Sequence, residues 1–512
     1  MEGIREKALE DFLRQTIKGT EWEGKVFIAG GYVRDEFMGK DPKDLDIMVN
    51  APNGGFRFAK WITQKVGCYK GPQVDPPIPP KPDFNVDAKG KPATPQDQAI
   101  EDQWMSQLTA IQKLYTNPVI FPRFGTSKFN LRGVNHMGID LSEMDIEAVM
   151  PRKEQYTAGS RKPEVSQGEL KDDVERRDFT VNSLLKDLSS GEILDLTGLG
   201  KADIKAGIVR TPLSPDKIFS DDPLRMLRAV RFAMKYNWKL PMFMLRGLKK
   251  NAVQLKNISQ ERIRDELDKM LMTGSPDRAI KLMKVVGLLQ FVIPEFKAAV
   301  KMTQNKHHTQ DVFHHTLDVL KNTQPVLLQR LMALFHDIGK TVTRSVTPTG
   351  VHFYGHEDAG ARMVEEIMRR LKYPEELVQA VKLGVKNHMR LKQAGDTGVN
   401  LSDKALRKFK IEVGDHLENI LNLMHADNVA HSEASSMPNQ ITNIKKRLEA
   451  LKMDVSKGKP KLPITGLDLQ KLGLTPGPVY SKIMTAVTDA WFENPNVSAE
   501  EALEIAKKIA GV

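Results

Sequence analysis

The apolar positions of this chain change their period along its length. In the first part they fall in short runs, and from about residue 260 onward they recur at helical spacing with little interruption. An amphipathic stretch over Ile4–Ile17 predicts a first helix. It leads into a strand–turn–helix–strand pattern: apolar Val26–Ala29, a Gly-Gly turn, a short helix through Met38, and alternating Leu45–Val49. A further helix is expected over Gly55–Val66, and β-like runs return at Val119–Phe124 and Met144–Val149. The later periodicity predicts helices over Gln260–Leu271, Pro276–Val286, Val312–Leu320, Leu327–Phe335 and Gly360–Leu371. It continues with Glu375–Asn387, Ser402–Lys410, His416–His425 and Gln440–Leu451.

Three stretches break these patterns. QVDPPIPPKPDFNVDAKGKPATPQDQ, at 73–98, has no period and reads as a solvated insertion. The polar, Gly-containing run at 154–175 reads as a loop, and GKPKLPITG marks a linker before a tail of two or three helices broken at LTPGP. The fold class expected is α+β: a small mixed α/β head followed by an elongated, all-helical remainder.

Composition adds bounds. The 512 residues suffice for two to four domains, and 40% hydrophobic with 28% charged residues is the balance of a globular protein. The formal charge of +11 points to a polyanionic partner, or to a generally basic surface. Cys68 is the sole cysteine, which excludes an internal disulfide and thiolate zinc sites and predicts a reducing compartment. The N-terminus has no apolar signal core and no run of about 18 apolar residues occurs, so a cytoplasmic protein without a membrane span is expected.

Candidate chemistry begins at Gly30–Val49, GGYVRDEFMGKDPKDLDIMV. On a strand, Asp44 and Asp46 would point to one face while Leu45 and Ile47 enter the core. Two convergent carboxylates beside a glycine turn suit Mg²⁺ held with a triphosphate; the other reading is a strand-edge pair after a tight turn. Glu147, alternating with apolar neighbours, is either a third carboxylate or a strand-edge residue. Arg152 either reaches a phosphate or solvates a loop. In ERRDFTVNSLL, Arg176 and Arg177 precede Asp178 and Asn182, which are spaced i,i+4 on an expected helix. Adjacent arginines fork a polyphosphate well, whereas Asp178 could instead cap the helix or pair with Arg177. In SDDPLRMLRAVRF, Asp222, Arg225, Arg228 and Arg231 recur at threes on one helical face. They offer acceptor and donors to a base edge, or an intrahelical salt bridge.

In combination these segments resemble the class II tRNA nucleotidyltransferase and bacterial poly(A) polymerase family, a branch of the polymerase β superfamily, over roughly residues 25–270. GGYVRD with DLD is similar to its metal and triphosphate motif, and ERRDFTVNSL to its Arg-Arg-Asp signature, with Ser183 where Ala is usual. DLTGLGKADI, from Asp195, resembles the hinge, and ERIRDEL, from Glu261, the neck helix. DDPLR resembles the element that reads CTP or ATP through side chains, with Asp221 where Glu is usual. The resemblance implies that Asp44 and Asp46 hold Mg²⁺, with Glu147 as third catalytic carboxylate. Gly30, Gly31, Arg34, Arg176, Arg177, Asp178 and Asn182 would bind the nucleotide. Asp221, Asp222, Arg225, Arg228 and Arg231 complete that set, with Asp222 and Arg225 choosing the base.

A second constellation lies downstream. His315, His336-Asp337 and Asp427 follow the order of an HD domain, a helical metal-dependent phosphohydrolase fold that the chain resembles. His356 and His388 add two ligand candidates, and His315 is taken over its neighbour His314, with His307 and His308 also near. A divalent transition metal or Mg²⁺ held there would activate water toward a phosphoester. The implied organisation is a nucleotidyltransferase head at 1–185 with an insertion at 69–115, a neck at 186–295, an HD domain at 296–455 and an RNA-binding tail at 456–512. The implied function is template-independent CCA addition to tRNA 3′ ends from CTP and ATP, with an accessory phosphohydrolase. The alternatives are a poly(A) polymerase, which usually lacks the HD domain; a partial CC- or A-adding enzyme; and an HD phosphohydrolase with an inactive, RNA-binding head.

Overall fold

A seven-stranded mixed sheet organises the N-terminal part of the computed structural model. Its strands are β1 Val26–Ala29, β2 Asp46–Val49, β3 Val119–Phe121, β4 Thr126–Phe129, β5 Ile146–Val149, β6 Leu185–Asp187 and β7 Ile193–Leu194. They are hydrogen-bonded in the order β7-β6-β1-β2-β5-β4-β3, and the β2–β5 pair alone within this sheet is parallel. The structure describes residues 3–70, 117–121, 125–155, 164–304, 310–431, 436–451 and 462–511, with short pieces between 82 and 106. Most of the insertion expected at 69–115, together with His307 and His308, lies outside the described residues.

The alternation of apolar residues fixes the two faces of the sheet. Ile47, Ala148 and Ser127 lie in register, and the Ser127 hydroxyl donates to the Gly55 carbonyl at 2.7 Å, so that face meets helix Gly54–Lys65. Phe58 and Ile62 of that helix are fully buried, worth about 1.5–3 kcal/mol each. On the opposite face Phe27, Ala29, Met48 and Leu185 cluster with Val174 of helix Leu170–Glu175. Asp46, two residues before Met48, opens β2 on this second face.

Several expectations change. Strand β2 begins at Asp46, because Asp44 sits at φ +55°, outside extended geometry. Asp44 and Asp46 are therefore not successive same-face positions of one strand. Where a loop is expected at 154–175, the described residues pair as strands, Arg152–Gln155 with Glu164–Gln167, and a helix follows whose N-terminus carries a Glu169–Asp172 capping box. ERRDFTVNSLL is not one helix: the Asp178 carboxylate accepts from the Phe179 N–H at 2.8 Å, Phe179 is extended, and only Thr180–Asn182 form a 3₁₀ turn. Asp222 and Arg225 do not share a helix either. Helix Pro215–Asp221 ends because Asp222 precedes Pro223 and is held extended, and the next helix starts at Arg225. Strands β6 and β7 extend the sheet past residue 185.

The described chain forms two compact units, Met1–Arg225 with Tyr236–Asn251, and Met226–Lys235 with Ala252–Val512. Helices dominate the second. Gln260–Leu271, Leu327–Phe335 and Glu375–Asn387 have the bounds that periodicity predicts. A hairpin, Ser345–Thr347 with Gly350–His352, was not foreseen. The described tail holds helices Gly466–Lys471, Pro478–Glu493 and Ala499–Ala510 around buried Leu469, Ile483, Val487 and Ala502. Among the described residues no helix is long and apolar enough to cross a membrane.

Candidate active sites in the head and in the helical unit

In the head, Gly30 turns the chain from β1 into helix Gly31–Phe37. Its φ of +78° suits glycine, and a Cβ there would stand 3.1 Å from Arg177 Nη1. Buried Arg34 pairs in bidentate fashion with Asp35, at 2.8 Å through Nε and 2.8 Å through Nη2, and donates to Asn182 Oδ1 at 2.6 Å. Its guanidinium also lies 5.0 Å from the Tyr236 ring centroid. Asn182 is fixed in turn by donating to Asp178 Oδ1 at 2.9 Å. Asp178 thus positions Asn182, and through it Arg34.

Arg176 and Arg177 are clasped by a residue that sequence reasoning missed, buried Asp173. Arg176 Nη2 stands 2.5 Å and Arg177 Nη2 3.0 Å from its carboxylate oxygens. Burial pushes the Asp173 carboxyl up, but the charges of Arg177 and Arg176 outweigh it and hold the group below its ordinary range. The i,i+3 and i,i+4 spacing to both arginines was the available signal.

Asp46, Glu147 and Lys128 form a row across β2, β5 and β4. Lys128 Nζ lies 3.7 Å from Glu147. The Asp46 carboxyl is raised to about 6, first by loss of water on its protein side and then by the charge of Glu147; Asp44 adds to this, against Arg177 and Lys128. The three carboxylates therefore share one electrostatic neighbourhood, and a divalent cation would relieve their repulsion. That is a fit to Mg²⁺ on the chemistry of the donors.

Asp222 Oδ1 accepts from the Leu224 N–H at 3.1 Å, and the Arg225 N–H donates to the Asp222 carbonyl at 3.0 Å. Asp221 pairs with Lys217 at 2.8 Å. Arg228 lies over the Phe232 ring. Arg231 is paired through Nε with buried Glu266 at 2.6 Å, a pair whose opening would strand a buried charge. Arg152 begins its paired strand.

In the second unit, five helices and their ends deliver the histidine–aspartate cluster. His315 lies in Val312–Lys321, and His336 and Asp337 follow Leu327–Phe335. His356 opens His356–Arg370, His388 follows Glu375–Asn387, and Asp427 lies in Leu417–Val429. All six side chains are buried. Gly339 permits the approach: a Cβ there would clash with the His356 carbonyl and with Gly360.

Ring orientation is set by the backbone. Nδ1 of His336, His356 and His388 meets the carbonyls of Ala333, Phe353 and Val385 at 2.8, 2.9 and 2.6 Å, leaving Nε2 to face inward. Asp337 lies between two groups, Oδ2 being 3.2 Å from His336 and 3.7 Å from His315, and Oδ1 3.5 Å from His356 and 3.7 Å from His388. His315 also meets Asp427 at 3.0 Å. His314 instead pairs with Asp311 at 2.8 Å.

The donor atoms of His315, His336 and Asp337 lie within 4.8 Å of one another, as do those of Asp337, His356 and His388. His336 Nε2 is buried without a hydrogen-bond partner, which fits a metal ligand. Lys340 and Lys392 lie 2.7 Å from Asp337 and Asp427. Burial opposes ionisation of both aspartates; the proximity of His336 and Lys340 to Asp337, and of Lys392 and the hydrogen-bonding His315 to Asp427, holds them well below the carboxylate range. Burial lowers His356 to about 4, leaving it neutral. His431, a further donor beside His315 and Asp427, was missed, although it lies at i+4 from Asp427.

Sheet, glycine turn and clustered carboxylates in one unit, and a helical histidine–aspartate centre in the other, define a nucleotidyltransferase-type head joined to an HD-type body. Residues 26–69 and 123–210 match the poly A polymerase head domain, 244–300 the probable RNA- and SrmB-binding site of polymerase A, and 307–424 the HD domain. The A-adding tRNA nucleotidyltransferase of Deinococcus radiodurans is 32% identical over 339 residues, covering 63% of this chain and 75% of that protein. The tRNA nucleotidyltransferase cca1 of Schizosaccharomyces pombe is 30% identical over 288 residues, or 56% of this chain. The match spans about half the length of that yeast relative, 49%. The structure of the Bacillus stearothermophilus CCA-adding enzyme in complex with CTP aligns over 99% of this chain and 98% of that one, with a TM-score of 0.60 at 17% identity, a likeness of fold. The chain belongs to the tRNA nucleotidyltransferase and poly(A) polymerase family.

Proposed function

We propose that this protein is a template-independent tRNA nucleotidyltransferase that adds CCA to 3′ ends from CTP and ATP. The observation that carries the reading is the register of Asp46 against Glu147 on the parallel β2–β5 pair, with the charge of Asp44 felt at the same carboxyl beside the Gly30 turn. Mg²⁺ held by Asp44 and Asp46, with Glu147 alongside, would neutralise phosphate charge and favour the 3′-oxygen of the RNA as nucleophile.

The chain's own residues bind and orient. The turn at Gly30 and Gly31 lets the chain approach the phosphates, with the Gly30 amide held by the Leu184 carbonyl and the Gly31 amide opening the helix, and Arg176 and Arg177, held in place by Asp173, take up their negative charge. Arg34, fixed by Asp35 and Asn182, sets the turn beneath them. Asp222 and Arg225 present an acceptor and donors to the base edge, with Asp221 and Arg228 flanking them. The basic helical unit and tail follow the tRNA backbone by shape and phosphate contacts. A reducing, cytoplasmic setting belongs to this proposal and is supported by Cys68, buried and unpaired.

The test is to incubate tRNAs lacking one, two or three 3′ nucleotides with CTP, with ATP and with both, and to size the products. CCA addition predicts CMP on the two shorter ends and AMP only after CC. Extended A tracts would instead indicate a poly(A) polymerase, and addition of CC alone or A alone a partial enzyme.

A second activity, metal-dependent phosphohydrolysis by His315, His336, Asp337, His356, His388 and Asp427, is supported by the buried His336 Nε2, which makes no hydrogen bond although Asp337 Oδ2 stands 3.2 Å away. A divalent transition metal or Mg²⁺ there would supply an activated water. Release of phosphate or ring-opening of 2′,3′-cyclic ends, lost in the double variant His336→Ala with Asp337→Ala, tests it.

A further inference from the structure

The hairpin Ser345–Thr347 with Gly350–His352 leads into the rim of the histidine–aspartate cavity, whose volume is about 220 Å³. Asp337, Lys340 and Asp427 line the buried part, while His352 and Tyr354 line the edge. Tyr354 is 75% exposed. Its ring lies nearly parallel to that of His352, with centroids 5.1 Å apart and planes 7° apart. The Tyr354 hydroxyl stands 3.2 Å from His352 Nδ1, and Thr349 Oγ1 stands 2.9 Å from Nε2, so both ring nitrogens are engaged and the pair is held flat.

We propose that Tyr354, backed by His352, is a stacking platform for the base of a nucleoside phosphoester whose phosphate enters the cavity. The proposal rests on the hydrolytic reading of the cluster and narrows its substrate class. The cavity is smaller than the roughly 300–1,000 Å³ that encloses a drug-sized ligand, so phosphate and sugar enter and a planar base remains at the rim. Lys340, beside Asp337, supplies a cation for the phosphate. A free aromatic face at that rim fits a nucleobase, and since every base has a π face the platform is indifferent to base identity.

The test uses the full chain with Mn²⁺ and two probes: cytidine 2′,3′-cyclic monophosphate, and ribose 2,3-cyclic phosphate, the same ester without a base. Binding by equilibrium dialysis and hydrolysis are measured side by side. Tyr354→Ala is expected to weaken the nucleotide by about tenfold and leave the ribose ester unchanged, while Tyr354→Trp retains nucleotide binding. The adenosine probe should behave like the cytidine one. Equal weakening of both probes, no weakening of either, or a wild type that binds the nucleotide no better than the ribose ester would each overturn the platform. A selective loss of nucleotide binding with no hydrolysis of either probe by the wild type would uphold the platform and sink the hydrolytic reading.

Discussion

The two candidate centres of this protein solve the assembly of a charged site in opposite ways. In the head, Asp44 and Asp46 stand exposed around the first residue of a strand, and loss of water on the protein side of Asp46, followed by repulsion from Glu147 and then Asp44, raises Asp46 to about 6. In the helical unit all six expected ligands are buried, three imidazoles are oriented by backbone carbonyls, and both aspartates already face a lysine. An Mg²⁺ site that uses few carboxylates and takes further oxygens from substrate phosphates can remain open until substrate arrives. A centre of buried imidazoles has to be built by the fold itself, since each unsatisfied polar group costs free energy from the moment it is enclosed.

This difference can be broken experimentally. The largest effect is expected from Asp46→Ala, which should lower CMP and AMP incorporation by on the order of 10³-fold while leaving the melting temperature unchanged or raised, because an exposed, repelled carboxylate is removed. A clear loss of stability would mean that the head site is as integral to its fold as the buried centre. His336→Ala should remove phosphohydrolysis, spare nucleotide addition and destabilise the helical unit by about 2–4 kcal/mol, as a buried large-to-small change does. A variant as stable as the parent in denaturant titration would contradict the preformed character of that site.

Arg225→Ala is expected to shrink discrimination between CTP and ATP by about tenfold, within the range of a lost base-edge contact. Unaltered selectivity in competition assays would place base choice elsewhere. The smallest effect concerns pH. Asp46 is raised above its unfolded value, so the metal-free head binds a proton that the unfolded chain releases, and its contribution to stability is lost as pH rises through about 6. Mg²⁺ competes with that proton. Its affinity should fall roughly twofold from pH 7 to pH 6 and about tenfold by pH 5, measurable by calorimetry and absent in Asp46→Asn.

The chain order of the candidate residues could be read before any coordinates, and so could many helix limits, because a 3.6-residue apolar period survives burial on any partner. What failed were inferences about short polar segments. Asp178 and Asp222 were placed on helices, yet one carboxylate binds the next backbone N–H and the other residue precedes a proline, and each local effect outweighs helix propensity. Asp173, His431, Lys340 and Lys392 went unassigned because their importance lies in their partners, which come from other turns or other elements.

The sequence by itself determined the α+β division, the order of the motifs and the residue types able to bind phosphate, metal and base, since these follow from periodicity and side-chain chemistry. Only the tertiary structure decided which groups meet. The parallel pairing of β2 with β5 sets Asp46 beside Glu147 across about 100 residues. Helix packing brings His315 to Asp427 across 112. Distances of that kind are fixed by strand register and by the burial of faces far from the site, and no local pattern of residues encodes them.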